Sequence, residues 1–204
     1  MASTVSEQIS IDFFNWSESP DATVLIWQDT GLGPPLAWKV IAHCHHGWRH
    51  PFAIRSIPAF SFEDAFGNHT PEQMPAPGYI YSLDTSRRVR RETKPANSRQ
   101  VVFRNGLREG GVRVNLWQSH LRLARSRLLT PGETLAWTPD LRFKIGVDPA
   151  AREGMAPTNG FRGHRWAEID LRGLHIAWLV MVGGGWGYRA GPFAFHIMRQ
   201  PPIP

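Results

Sequence analysis

The residues of this chain best suited to chemistry are His43, His45, His46 and His50, gathered around its single cysteine, Cys44. His-x-His on an extended strand puts two imidazoles on one face, a spacing that can hold a divalent metal ion. His50, on the following turn, would supply a third ligand. Cys44 is flanked by His43 and His45, the neighbours that a thiolate nucleophile would use. Adjacent strand residues point to opposite faces, however, so Cys44 is expected beside Trp38 and Val40, buried and inert. The competing expectation for the histidines is that they are polar surface residues at a strand end.

The His43–His45 spacing resembles the first motif of the cupin family, in which His-x-His is followed by an acidic ligand. Four residues past His45 this chain has Arg49, which would repel a cation, and no second motif with a later histidine stands near Pro131-Gly132. The resemblance is confined to one short segment. It implies a metal-dependent enzyme on a cupin-like β-barrel, with a divalent metal held by His43, His45 and His50.

A second cluster is Arg87-Arg88-Val89-Arg90-Arg91, followed by Lys94. Such a run can neutralise phosphates and would make binding strongly salt-dependent. Nucleic-acid sites interleave aromatic rings that stack on bases; here only Tyr79 and Tyr81 are near, and Glu92 sits inside the run. A charged, solvated strand edge is the favoured expectation, and nucleic acid is not an expected partner. The nine tryptophans divide by context. Trp27, Trp38 and Trp178 lie in apolar strands and read as core, whereas Trp16, Trp48, Trp117 and Trp186 lie in turns or on polar faces. Exposed tryptophans suit sugar stacking or protein contacts.

Gly183-Gly184-Gly185-Trp186-Gly187 could cradle phosphate only if a helix opened directly afterwards. Tyr188-Arg189-Ala190-Gly191-Pro192 cannot start one, so a bulge or tight bend is expected. Neither Gly-x-Ser-x-Gly, Ser-x-x-Lys nor His-Glu-x-x-His occurs, so no nucleophile with its base is visible.

The elements that must position these groups are strands. Between Gln100 and Val147 four successive strands are expected. Val112, Val114 and Leu116 alternate with Arg113, Asn115 and Trp117, and Leu141, Phe143, Ile145 and Val147 alternate with Arg142, Lys144 and Gly146. Asn105-Gly106, Gly110-Gly111 and Pro131-Gly132 are suited to reversals. Ile9, Ile11 and Phe13 mark a first strand, and residues 23–28, apolar on both faces, an interior one. Further extended segments are expected over 37–46, 52–62, 79–83, 166–171 and 193–198, and 174–182 is apolar enough to lie centrally. Residues 63–78 and 148–163 read as loops, with one helical turn possible at 150–155.

The fold expected is therefore all-β: a single antiparallel β-sandwich domain over 1–204, with roughly eight to eleven strands. The longest apolar run, Ile176 to Val182, falls short of the roughly 20 residues a spanning helix needs, and no secretory leader is visible. With one cysteine the expected place is a reducing cytoplasm. The net charge of +6 is carried almost wholly by arginine, which suits bidentate contacts.

The leading functional expectation is a non-enzymatic binding or self-assembly protein without a cofactor. Its contacts would be Trp48, Trp117, Trp186, Arg87, Arg88, Arg90 and Arg91, offered to another protein or to copies of itself. The alternatives are the metal-dependent enzyme and a lectin-like module for carbohydrate or lipid. A membrane partner is disfavoured because no amphipathic inserting helix is visible.

Overall fold

The computed structural model describes residues 8–93, 99–156, 166–185 and 191–202. Among them the chain is all β, with fifteen strands. In chain order these are β1 (Gln8–Asn15), β2 (Ala22–Trp27), β3 (Ala37–Cys44), β4 (Arg49–Arg55), β5 (Ala59–Asp64), β6 (Tyr79–Leu83), β7 (Val89–Thr93), β8 (Val101–Asn105), β9 (Val112–Gln118), β10 (Leu121–Arg125), β11 (Thr134–Trp137), β12 (Arg142–Val147), β13 (Trp166–Asp170), β14 (Ile176–Gly184) and β15 (Gly191–Met198).

They group into two compact units. Among the described residues unit I comprises 8–29, 35–55 and 141–202, and unit II comprises 30–34 and 56–140. Unit I holds two four-stranded sheets: sheet 1 in the order β15-β14-β1-β4 and sheet 2 in the order β13-β12-β2-β3. Unit II holds the three-stranded sheet 3, β10-β9-β5, and the four-stranded sheet 4, β11-β8-β6-β7.

None of these sheets closes on itself among the described residues, so each keeps two edges. Closure into a barrel requires every strand to have two neighbours, and the cupin-like barrel is thereby corrected. The purely antiparallel expectation is corrected as well, because β1 pairs with β14 in parallel and β6 with β8 in parallel. Side-chain alternation is the same in both pairings, so period two could not tell them apart. Fifteen strands also exceed the expected number, since residues 52–62 divide into β4 and β5 and residues 100–147 hold five strands rather than four.

The core of unit I follows from alternation. Ile9, Ile11 and Phe13 of β1 face inward, as do Ala177 and Leu179 of β14, all at most 3% exposed. The ring of Trp38 lies 6.1 Å from Phe52 of sheet 1 and 6.2 Å from Phe143 of its own sheet. β2 is interior, between β3 and β12, as its two apolar faces require. Its second face is covered by the segment after β12, where Ala151 packs with Leu25, Trp27 and Ala37. Ala37 N donates to Met155 O and Gly154 N to Ala37 O, both near 2.9 Å. That segment makes tight turns at 148–151 and 152–155 instead of a helical turn.

In unit II the aromatic rings of Phe60 and Phe62 on sheet 3 meet Phe103 on sheet 4, Phe60 also meets Tyr81, and Trp137 stacks on Phe103 within sheet 4. No described helix is long and apolar enough to cross a membrane.

Candidate functional site

The histidines do not converge. His43 has a φ of 52°, a left-handed conformation that breaks the extended backbone on which the shared-face argument depends. β3 then ends at Cys44, and His45 stands in the turn that follows. Each ring is engaged separately by the β1–β2 connection. His43 Nδ1 lies 3.2 Å from Asp21 Oδ2, His45 Nδ1 donates to Pro20 O at 2.5 Å, and His46 Nδ1 donates to Ser17 O at 2.8 Å.

His50 sits on β4 opposite Phe13. Burial there, with the Lys39 ammonium as a second cause, lowers its pKa below the usual imidazole range. Its Nε2 is buried without a hydrogen-bond partner among the described residues. No three His, Cys, Asp or Glu residues are grouped to hold a metal ion among the described residues. The His43, His45 and His50 set is therefore not assembled here.

Cys44 is fully buried. Burial pushes its thiol up to about 11, partly offset by its hydrogen bond with Asn15. A disulfide reagent should leave the native protein unlabelled and modify this lone thiol only after denaturation. Rapid labelling of the native form would contradict the buried placement.

The arginine run lies on β7, an edge strand of sheet 4, and on the turn before it. Arg87, at a φ of 58°, places Nη1 2.7 Å from Asp64 Oδ2. Arg90 Nε donates to Asp84 Oδ2 at 2.5 Å. Arg91 lies over the Tyr79 ring at 4.8 Å. Asp64 is held at about 2, chiefly by the Asn68 side chain, with the Asn68 and Phe66 amides and Arg87 adding to it. Arg88 is exposed. Most of this charge is thus spent inside the unit, as befits a protected sheet edge. The cavity beside the Arg87–Asp64 pair is about 170 Å³, below the roughly 300 Å³ at which small-molecule sites begin. Lys94 and Trp186 lie outside the described residues.

Trp117 is half-buried on the outer side of sheet 3. Its Nε1 donates to Ser61 Oγ at 2.9 Å, Arg122 lies 5.2 Å over its ring, and His69 meets it edge-on at 6.0 Å. Trp48 is different: 51% exposed, it stands just before β4 between the rings of His45 and His50, at 4.9 and 6.0 Å.

The feature that sequence reasoning missed is the outer face of sheet 1. Register puts Met198, Trp178 and Asp12 in one row across β15, β14 and β1, and His196, Val180 and Phe14 in the next. Ile176, opposite Ser10, is 52% exposed and Met198 36%. Arg49 closes one side, bidentate to Asp12 at 2.8 and 2.9 Å and 5.9 Å from the Phe14 ring. The result is an apolar centre on β14 and β15 with a charged border. The signal was present in the sequence, because 176–182 is apolar at every position and such a strand belongs between two covered faces.

Alongside, an open cleft of about 530 Å³ runs between β13 and β15, the facing edges of sheets 2 and 1. Ile169, Leu179, Phe195 and Ile197 form its apolar part, and Glu168, Asp170, Arg172 and Arg199 line its charged part. No protein-family model matches the chain, and no curated protein and no solved structure gives a match.

Proposed function

We propose that this chain is a non-enzymatic binding protein built on β-sandwich units, and that unit I takes a protein partner, foremost a second copy, on the outer face of sheet 1. The observation that carries the reading is the apolar patch of exposed Ile176 and Met198 with half-buried Trp178 between them, and its Arg49–Asp12 border. An apolar centre with a polar rim is the anatomy of surfaces that proteins bury together. A strand apolar on both faces gains from having its second face covered. Trp48 just before β4 and Arg49 at its start add the residue types that dominate binding energy at such surfaces. The reducing cytoplasm expected of a lone buried cysteine belongs to the same proposal.

The test is sedimentation of the purified chain across protein and salt concentration, beside the doubly substituted Ile176→Lys, Met198→Lys protein. Each copy carries +6, so like charge opposes self-association and added salt should strengthen it. Binding to a polyanion would show the reverse. The double variant should keep its β spectrum, since both sites are exposed, and lose association. A wild-type chain that stays monomeric at high protein and high salt would overturn the reading.

A further inference from the structure

We infer that β15 pairs edge to edge, antiparallel, with β15 of a second copy of this chain; the inference rests on the binding reading above and names the partner and its geometry. A sheet edge presents a row of N–H and C=O groups that another strand can satisfy. Four open sheets give eight edges among the described residues, and seven of them are defended.

β4 carries Arg49, Pro51 and Arg55, and β7 carries Arg90, Arg91 and Glu92. β10 is five residues with Arg122, Arg125 and a register shift between Arg122 and Ala124. β11 is only four residues long, and β13 has Glu168 and Asp170. The edge of β3 is covered by the Ala37 bonds to Gly154 and Met155 and by Val40 N donating to Glu153 Oε1. That of β5 is bridged by Gln73 and His69.

β15 is defended only at its start, by Pro192 and by the register shift opposite Val182 and Gly184, which leaves 193–198 without any of these devices. Its sequence, Gly-Pro-Phe-Ala-Phe-His-Ile-Met, contains no acidic or basic residue except His196, and its proline is at the second position. All eight of its residues are partly or fully exposed, although phenylalanine and isoleucine are strand formers that gain from burial. Among the described residues β15 pairs only with β14. The flanking cleft gives an added strand somewhere to lie. At a strand spacing of about 4.8 Å, a sheet separation of about 10 Å and a rise of about 3.3 Å, a strand fills roughly 160 Å³ per residue, so 530 Å³ admits about three residues.

The edge of β15 itself presents no formal charge, so the strand that matches it best is uncharged and apolar, and among the described edges only β15 qualifies. Its own copy, reversed about a twofold axis, brings Phe193, Phe195 and Ile197 against the same residues, and cross-strand aromatic and aliphatic pairs are favourable. A chain of net charge +6 is also best joined to its copy where neither presents a formal charge.

The test uses the full chain with Ala194→Lys and Ala194→Glu, on the outer side of β15. In a twofold pair each substitution faces itself directly or diagonally. Each alone should weaken association roughly tenfold or more, because the axis repeats the like-charge contact. Mixing the two proteins should restore a heterodimer. Single Ala194→Cys, Phe195→Cys and His196→Cys variants should form covalent dimers under mild oxidation, whereas Ser10→Cys and Ala53→Cys, farther from this edge, should not. If the wild type associates, neither charge variant weakens it, and only Ser10→Cys and Ala53→Cys cross-link, strand pairing is overturned while the sheet-face reading stands. A strictly monomeric wild type overturns both.

Discussion

Replacing Phe103 with alanine will lower the stability of unit II by about 3–5 kcal/mol, the usual range for emptying a large buried aromatic site. Phe103 is fully buried on β8 and is the ring that most others meet. Phe60 lies 5.0 Å away, Phe62 6.2 Å, Trp137 6.4 Å and Tyr81 6.5 Å. Phe60 and Phe62 come from sheet 3 and the other two from sheet 4, so this one side chain joins both sheets of the unit. Aromatic pairs add about 0.5–1.5 kcal/mol each beyond area burial, and a substitution that cuts four of them belongs at the upper end of the range. Domains are stable by only about 5–15 kcal/mol. The unit should therefore remain folded at room temperature but melt on the order of 15 °C lower. Phe103→Leu, which keeps most of the volume, should cost far less. Hydrogen exchange followed peptide by peptide is the suitable readout, because it assigns the loss to β5, β6, β8 and β11. Unchanged protection in those strands for the alanine variant would show that the rings do not hold the sheets together.

Alternation made the strands readable and left their grouping hidden. Val112, Val114 and Leu116 are buried as period two requires, and the apolar 174–182 segment is central, between β15 and β1. The glycine-rich stretch after it does make a bulge, with a register shift between Val182 and Gly184. Asn105-Gly106 looked like a hairpin turn, yet β8 and β9 lie in different sheets. Gly106 is needed for another reason: a Cβ there would meet Leu83 O at 2.7 Å, and its N–H donates to that same oxygen at 2.9 Å. The one adjacent hairpin of sheet 3, β9–β10, turns on Ser119 and His120, both at positive φ (52° and 65°). That is the twist a two-residue hairpin wants, made without the asparagine or glycine that advertises it. The histidine cluster failed as a site for a similar reason, because one backbone angle at His43 decided which way two imidazoles point.

The same limit explains why one of the chain's buried carboxylates, Glu63, was not anticipated. Glu63 opens a stretch rich in proline, glycine and asparagine, so it read as the start of a surface loop. It is instead the penultimate residue of β5 and 4% exposed. Its partners are far along the chain: Asn115 on β9 and Arg125 on β10, 52 and 62 residues away. No local pattern encodes a pairing at that separation. Composition does predict that a buried charge, if present, must be paired, and here it is.

Removing that carboxylate will be the second costly change. Glu63 Oε2 accepts from Asn115 Nδ2 at 2.9 Å and Arg125 Nε at 3.1 Å, and Arg125 Nη2 donates to Oε1. Burial alone would raise its pKa, but the bonds from Asn115 and Arg125, with the charge of Arg125 and of nearby His69, outweigh burial and hold it below the usual carboxylate range. Glu63→Ala deletes the acceptor and strands both donors. Breaking a fully buried pair costs about 3–5 kcal/mol; the Arg125 side chain is 43% exposed and can recover water, so about 2–3 kcal/mol is expected. Glu63→Gln keeps one acceptor oxygen but turns an amide donor toward the guanidinium, and should fall between alanine and wild type. The pH dependence follows from the depressed folded pKa. Above the unfolded value, about 4.3, the ionised carboxylate contributes its full stabilisation. As pH falls through the unfolded and then the folded value, the unfolded chain takes up the proton more readily and that contribution is lost. The difference between wild type and Glu63→Gln in urea unfolding should therefore be largest near neutrality and shrink toward about pH 3. A difference that stays constant with pH would mean that the charge of Glu63 does not contribute, leaving only its shape and hydrogen bonds to account for the loss.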